Sequence, residues 1–170
     1  MKSAALISVE EYLRTAYSPD RDYVDGEVQE RNLGERDHST LQKRLILYIG
    51  NREKTWNVFL YPEQRVQVSS TRFRIPDICV YAGQEPEGQI FQTPPFICIE
   101  ILSPEDRWAR VQERIDDYLK FGVSHVWVIN PVDQRAWKCT EAGNAEILDG
   151  VLRTQNPLLE VPLVEIFGQL

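Results

Sequence analysis

The chain has 170 residues, 42% hydrophobic and 26% charged, with a formal net charge of -7, which suits a single domain, 1–170, with a sizeable core and argues against long disordered stretches. No apolar run approaches the roughly 20 residues that span a bilayer, and Met1-Lys2-Ser3-Ala4-Ala5-Leu6 lacks the apolar core of a secretion signal, so a cytoplasmic protein with no membrane partner is expected. The acidic balance excludes a global basic field, so nucleic-acid binding would require a local basic patch, a bridging metal, or an oligomer that gathers positive side chains on one surface.

Ser8 followed by Glu11 is a capping-box pattern that predicts a short helix through Tyr17, ended by Ser18-Pro19-Asp20. Tyr23-Val24-Asp25-Gly26-Glu27-Val28 predicts an edge strand bent at Gly26, and Asn32-Leu33-Gly34 a turn. Ser39 with Gln42 repeats the capping pattern, and Leu41, Leu45, Ile46 and Ile49 recur at helical spacing up to Gly50-Asn51. Over residues 57–81 the period becomes two, through Val58 and Leu60, Val66 and Val68, then Phe73 and Ile75, broken at Pro62 and Ser69-Ser70. Residues 83–95 are rich in Gly and Pro and predict a loop. Residues 96–102 are nearly continuous apolar, as in a strand covered on both faces.

Residues 107–121 predict a helix closed at Gly122, which leads directly into the strand His125-Val126-Trp127-Val128-Ile129-Asn130. A strand, helix, strand crossover of this length places its two strands parallel in one sheet. Residues 135–139, 145–148 and 151–153 predict antiparallel additions at the C-terminal end, and residues 162–167 a short closing helix. Trp56, Trp108, Trp127 and Trp137 are most simply core or interface anchors rather than base-stacking platforms.

Chemistry concentrates in two apolar segments, Ile75-Pro76-Asp77-Ile78-Cys79-Val80 and Phe96-Ile97-Cys98-Ile99-Glu100-Ile101-Leu102. Asp77 at the mouth of one strand and Glu100 inside the next repel each other unless a cation lies between them. An odd set of cysteines, Cys79, Cys98 and Cys139, reads as buried reduced thiols. With only His38 and His125 beside them the chain does not suit a zinc site. Carboxylates alone favour a hard ion, Mg2+ or Mn2+.

On the following helix Val111, Arg114, Ile115 and Tyr118 fall on one side, with Arg107 and Arg110 near it. Arg114 can thus reach the two acids, or can lie at the surface paired with Asp106 or Asp117. A lone carboxylate at Glu100 must have some partner, a metal or Arg114. Glu27 and Asp22 are candidates for a further metal or water contact, or are simply solvated. His38 beside a helix start is a capping, core or cleft residue.

The order Asp77, Glu100, a helix with a basic residue facing back, then Val126-Trp127-Val128-Ile129-Asn130-Pro131 resembles the Uma-type restriction endonucleases of the PD-(D/E)XK nuclease superfamily. The likeness runs from Tyr23-Val24-Asp25-Gly26-Glu27 through Leu102-Ser103-Pro104 to Tyr118 and on from Gly122 to Pro131. It implies a restriction-endonuclease-like fold: mixed α/β, a central mixed sheet flanked by helices. It also implies that Asp77 and Glu100 bind Mg2+, and that a Lys two residues after the Glu orients or activates water. Leu102 occupies that position. In the Uma-type group the basic residue moves to the next helix, four residues before a Tyr, which here is Arg114 before Tyr118, and a His resembling His38 is often found near the cleft.

The change from Lys to Arg matters because a guanidinium, with a pKa above about 12, cannot act as a general base near neutrality. It can still grip a phosphate and stabilise developing charge. The expectation is a metal-dependent endonuclease hydrolysing DNA phosphodiester bonds, with Asp77, Glu100, Arg114 and His38 catalytic and Asp77, Glu100 and Glu27 toward the metal. A homodimer is expected, since cutting both strands favours two-fold pairing. The alternatives are a catalytically degenerate member of the fold that binds nucleic acid or protein, and a structural protein with a buried Glu100–Arg114 pair and no metal.

Overall fold

The N-terminal helix begins where its cap says it should: in the computed structural model, which describes residues 5–32 and 34–168, the Ser8 hydroxyl accepts the Glu11 N–H at 3.1 Å. The opening segment at Met1 to Ala4 and the predicted turn through Leu33 lie outside the described residues in part or whole. In chain order the elements are α1 (Val9–Arg14), β1 (Asp22–Val24), β2 (Glu27–Gln29), α2 (Arg36–Gly50), α3 (Glu53–Trp56), β3 (Val58–Pro62), β4 (Val66–Ser69), β5 (Arg72–Arg74), β6 (Ile78–Ala82) and β7 (Ile97–Ile101). There follow α4 (Trp108–Phe121), β8 (His125–Asn130), β9 (Arg135–Thr140), β10 (Gly143–Glu146), β11 (Val151–Arg153), β12 (Glu160–Pro162) and α5 (Leu163–Phe167).

A mixed sheet in the order β10-β9-β8-β7-β6-β3 forms the centre. Its one parallel pair is β7 with β8, joined through α4, as the crossover predicted. Alternation along β7 divides its side chains between two layers. Ile97, Ile99 and Ile101 pack with Leu41, Leu45 and Ile49 of α2 and with Ile166 of α5. Cys98 faces Val111, Ile115 and Tyr118 of α4, and Glu100 shares its face. Cys79 and Cys98 stand directly opposite each other across β6 and β7, and all three cysteines are buried and unbonded.

A second, antiparallel sheet, β2-β1-β5-β4, rests on Tyr12, Tyr23 and Phe73. Here the single bent strand expected around Gly26 is a hairpin. Asp25 and Gly26 both take positive φ, 49° and 100°, and such a two-residue turn folds the chain back on itself. The second helix also starts earlier than expected, at Arg36, so Ser39 is interior, its N–H bonded to the Glu35 carbonyl at 2.9 Å. The third C-terminal segment does not extend the central sheet, because β11 pairs with β12 as a separate ribbon.

The sequence carries no sign of a buried charge cluster that ties the small sheet to helix α4. Arg74 is 1% exposed; its Nε donates to Asp117 Oδ2 at 2.7 Å and its Nη1 to Asp22 Oδ2 at 3.1 Å. Arg72 Nη1 adds a bond to Asp117 Oδ1 at 2.8 Å. Asp22 also accepts the Ile75 N–H at 3.2 Å, so it is a structural anchor here rather than a solvated acid. Asp117 is therefore engaged by the small sheet and is not the partner of Arg114. Replacing Asp117 by Ala leaves two guanidinium groups short of their shared acceptor in a dry site, and is expected to cost about 3–5 kcal/mol, measurable by urea denaturation.

Candidate functional site

The antiparallel register that pairs Ile78 with Ile99 puts Asp77, one place before β6, level with Glu100 in β7. Both are almost fully buried. Asp77 is held from three directions. Its Oδ2 accepts the Ile101 N–H at 2.7 Å, and its Oδ1 accepts Arg31 Nη2 at 3.0 Å and lies 3.3 Å from His38 Nε2. One turn along α2 from His38, Gln42 Nε2 donates to the Asp77 carbonyl at 3.1 Å, so two residues four apart fix both the side chain and the backbone.

Glu100 is held by α4. Tyr118 Oη donates to Glu100 Oε1 at 2.6 Å, and Arg114 Nε lies 3.1 Å from Oε2 as an ion pair without hydrogen-bond alignment. Arg114 Nη2 also reaches Asp106 Oδ1 at 3.5 Å. Asp106 in turn caps the strand exit by accepting the Ser103 N–H at 2.7 Å and the Asn32 amide at 3.0 Å. Of the expected site residues, Asp77, Glu100, Arg114 and His38 come together. Glu27 does not: it is exposed at the start of β2, before the chain reaches Arg31, and does not line the cleft. Arg31 and Gln42 are not expected at the site from the sequence, whereas Asp106 is one of the two partners expected for Arg114 and does pair with it. His38 and Gln42 do carry a helical i, i+4 signal, whereas nothing periodic marks Arg31.

Charge in this cleft is uneven. Burial pushes Glu100 up to about 7, opposed by Arg114 and assisted by the negative charge of Asp77. Burial also works against ionising Asp77, but the His38 bond and the Arg31 charge prevail and hold it below the usual range. His38 is raised, because pairing with Asp77 outweighs its burial. Arg114 is likewise raised, Glu100 outweighing burial. The result is one firmly ionised carboxylate beside one that titrates near neutrality.

The space bounded by Asp77, Glu100, Arg31, His38 and Arg114 is a cavity of about 20 Å3, room for one water-sized body. Among the described residues no set of three or more His, Cys, Asp or Glu is gathered to hold a metal. Two hard carboxylate donors nevertheless fit Mg2+, which keeps several of its waters and needs only one or two protein carboxylates. Mutual repulsion between Asp77 and Glu100 is the feature such an ion would relieve.

The Uma2 family model, described as "Putative restriction endonuclease", matches residues 9–166. Among solved structures, the chain is similar to one described as a putative nuclease belonging to DUF820 from Anabaena variabilis ATCC 29413. The TM-score is 0.81 at 22% identity, covering 95% of this chain and 97% of that one. At that identity the likeness carries the fold, and the expected mixed α/β nuclease-type architecture is the one found. No curated protein matches.

Glu100 keeps its proton in the folded state to about pH 7, while the unfolded chain releases it near 4.5, so stability falls as pH rises across that window. His38, with a raised folded value, adds stability that is present below the ordinary imidazole range and lost as pH rises through that value. Asp77, lowered, loses its contribution only on the acid side, as pH falls through its folded value. Without divalent ions, thermal melts should therefore show declining stability from about pH 4.5 through 7, and Glu100→Gln should remove most of the decline. An unchanged slope in that variant would refute the assignment.

Proposed function

Given that this chain belongs to the Uma2 family of "Putative restriction endonuclease" proteins, we propose that it is a metal-dependent endonuclease that hydrolyses DNA phosphodiester bonds. The observation that carries the reading is the meeting of Asp77 and Glu100 at level positions on adjacent strands, around a water-sized cavity edged by Arg31 and Arg114. Asp77 and Glu100 would hold Mg2+ or Mn2+, which would supply Lewis acidity toward the phosphate and lower the pKa of a water.

The remaining work falls to side chains of this chain. Arg114 and Arg31 carry permanent positive charge at the cavity edge, suited to clamp a phosphate and to stabilise the charge that develops in the transition state. Neither can accept a proton from water near neutrality. His38, whose Nε2 lies 3.3 Å from Asp77 Oδ1 and whose hold on a proton that carboxylate strengthens, is suited to donate a proton to a leaving oxygen. The formal net charge of -7 provides no overall attraction to DNA, so the active form is taken to be a homodimer in which two such sites share one duplex; light scattering on the purified protein checks this.

A second reading has its own observation. Glu100 is already satisfied by Tyr118 and Arg114, and Leu102 stands where the superfamily Lys resembled by this segment would be. This arrangement also suits a degenerate member that binds nucleic acid or protein without cutting. Cleavage separates the two. Purified protein with plasmid and single-stranded DNA should cut in Mg2+ or Mn2+ and not in EDTA, and Asp77→Ala and Glu100→Ala should both abolish cutting. Arg114→Gln should lower kcat by on the order of 10²–10³. Absence of cutting by the parent chain with either ion would select the degenerate reading.

A further inference from the structure

Trp108 was expected to be a core or interface anchor, and it is not in the core: it is 49% exposed on the first turn of α4, whereas Trp127 is fully buried. On either side of it in sequence stand Arg107 and Arg110, exposed and without an acidic partner among the described residues. These three side chains border two different spaces. Arg107 and Arg110 join Arg114 along a groove of about 350 Å3. Trp108 instead faces a cavity of about 360 Å3 with Leu102, Pro104 and Val132. Asp106 borders both spaces and the small cavity between Asp77 and Glu100, so all three adjoin.

We propose that the Trp108 cavity takes a nucleobase, unstacked from the DNA strand whose phosphates run along Arg107 and Arg110, beside the bond to be cut. The inference rests on the nuclease reading and names a subsite of it. Glu30, Glu105 and Asp106 line the same groove, so its overall charge is balanced, and what it offers a phosphate backbone is the pair of exposed guanidinium groups of Arg107 and Arg110, which no acidic side chain engages among the described residues. The neighbouring cavity brings the exposed Trp108 indole together with Leu102, Pro104, Val111 and Val132, a surface suited to stack a base whatever its sequence. One polar group completes it. Asn130 Oδ1 is occupied by the Val132 N–H at 2.9 Å, leaving amide N–H groups with no protein acceptor among the described residues to meet a base carbonyl.

Leu102 then has a role of its own. At the position where the resemblance leads one to expect a lysine, this chain builds a wall of the base cavity. A base can enter only after leaving its own stack, so single-stranded or frayed DNA should bind in preference to a blunt duplex.

The test uses the full chain in EDTA, so that binding is read apart from hydrolysis, with oligothymidylate and a blunt duplex of equal length as probes. Oligothymidylate should quench the tryptophan emission and bind more tightly than the duplex. Trp108→Ala should lose the quench and bind oligothymidylate on the order of tenfold more weakly. Trp108→Phe should keep the affinity while losing the quench, and far-UV circular dichroism should show both variants folded. Unchanged affinity in Trp108→Ala overturns the proposal, as does a change in molecular mass in place of a change in binding, which would make this face a contact between copies. So does a failure of the parent chain to bind oligothymidylate. If Arg107→Gln and Arg110→Gln weaken binding while Trp108→Ala does not, the base cavity falls and the nuclease reading, judged by the Asp77 and Glu100 variants, stands.

Discussion

Two carboxylates at level positions on adjacent strands, with water largely excluded, are the constraint from which the rest of this molecule follows. Neither Asp77 nor Glu100 can be ionised there without positive charge from outside the sheet. That charge arrives from three separate places: Arg31 after the hairpin β1–β2, His38 on α2, and Arg114 on α4. The two helices must therefore dock in fixed rotation on opposite faces of the sheet, and the hairpin must end beside its open edge. Their apolar faces supply the adhesion, and the acids decide the register.

Helix α4 illustrates how much can be carried by one amphipathic segment. Val111 and Ile115 enter the core, Arg114 and Tyr118 hold Glu100, and Asp117 is tied through Arg72 and Arg74 to the smaller sheet. Placing the cation on a helix rather than two residues beyond Glu100 has a structural cost and benefit. Its reach depends on helix docking instead of strand geometry, and the buried Arg74 cluster is what fixes that docking. In exchange, position 102 becomes free to be apolar.

Much of this was legible in the sequence because it rests on periodicity. The apolar run around Glu100, the crossover through α4 to β8 and the Gly122 cap, at φ 101°, all follow from local pattern. So do the juxtaposition of Asp77 with Glu100 and the reach of Arg114, since strand and helix periods place them. What was not legible depends on where distant segments meet. Arg74 falls between the alternating apolar residues Phe73 and Ile75, where the period expects a solvated side chain, and nothing local signals its burial or its partners 43 and 52 residues away. Arg31 lies in a connection with no period. Ser39 and Gln42 mimic a cap, and only tertiary contact with Asp77 shows that Gln42 is needed elsewhere. The hairpin at Gly26 was mistaken for a bend because strands of three residues carry too little alternation to distinguish the two.

The cross-strand cysteines have a practical meaning. Burial pushes Cys79 up to about 12 and Cys98 well above its ordinary value, so almost no thiolate exists at neutral pH while β6 and β7 stay closed. Alkylation must wait for those strands to part, which makes the thiols a native clock for sheet opening. Asp77 immediately precedes β6 and Glu100 lies in β7, each two residues along from its cysteine. A ligand held by both acids would tie together the strands that guard the sulfurs, so its occupancy would register in the rate at which the cysteines become reachable.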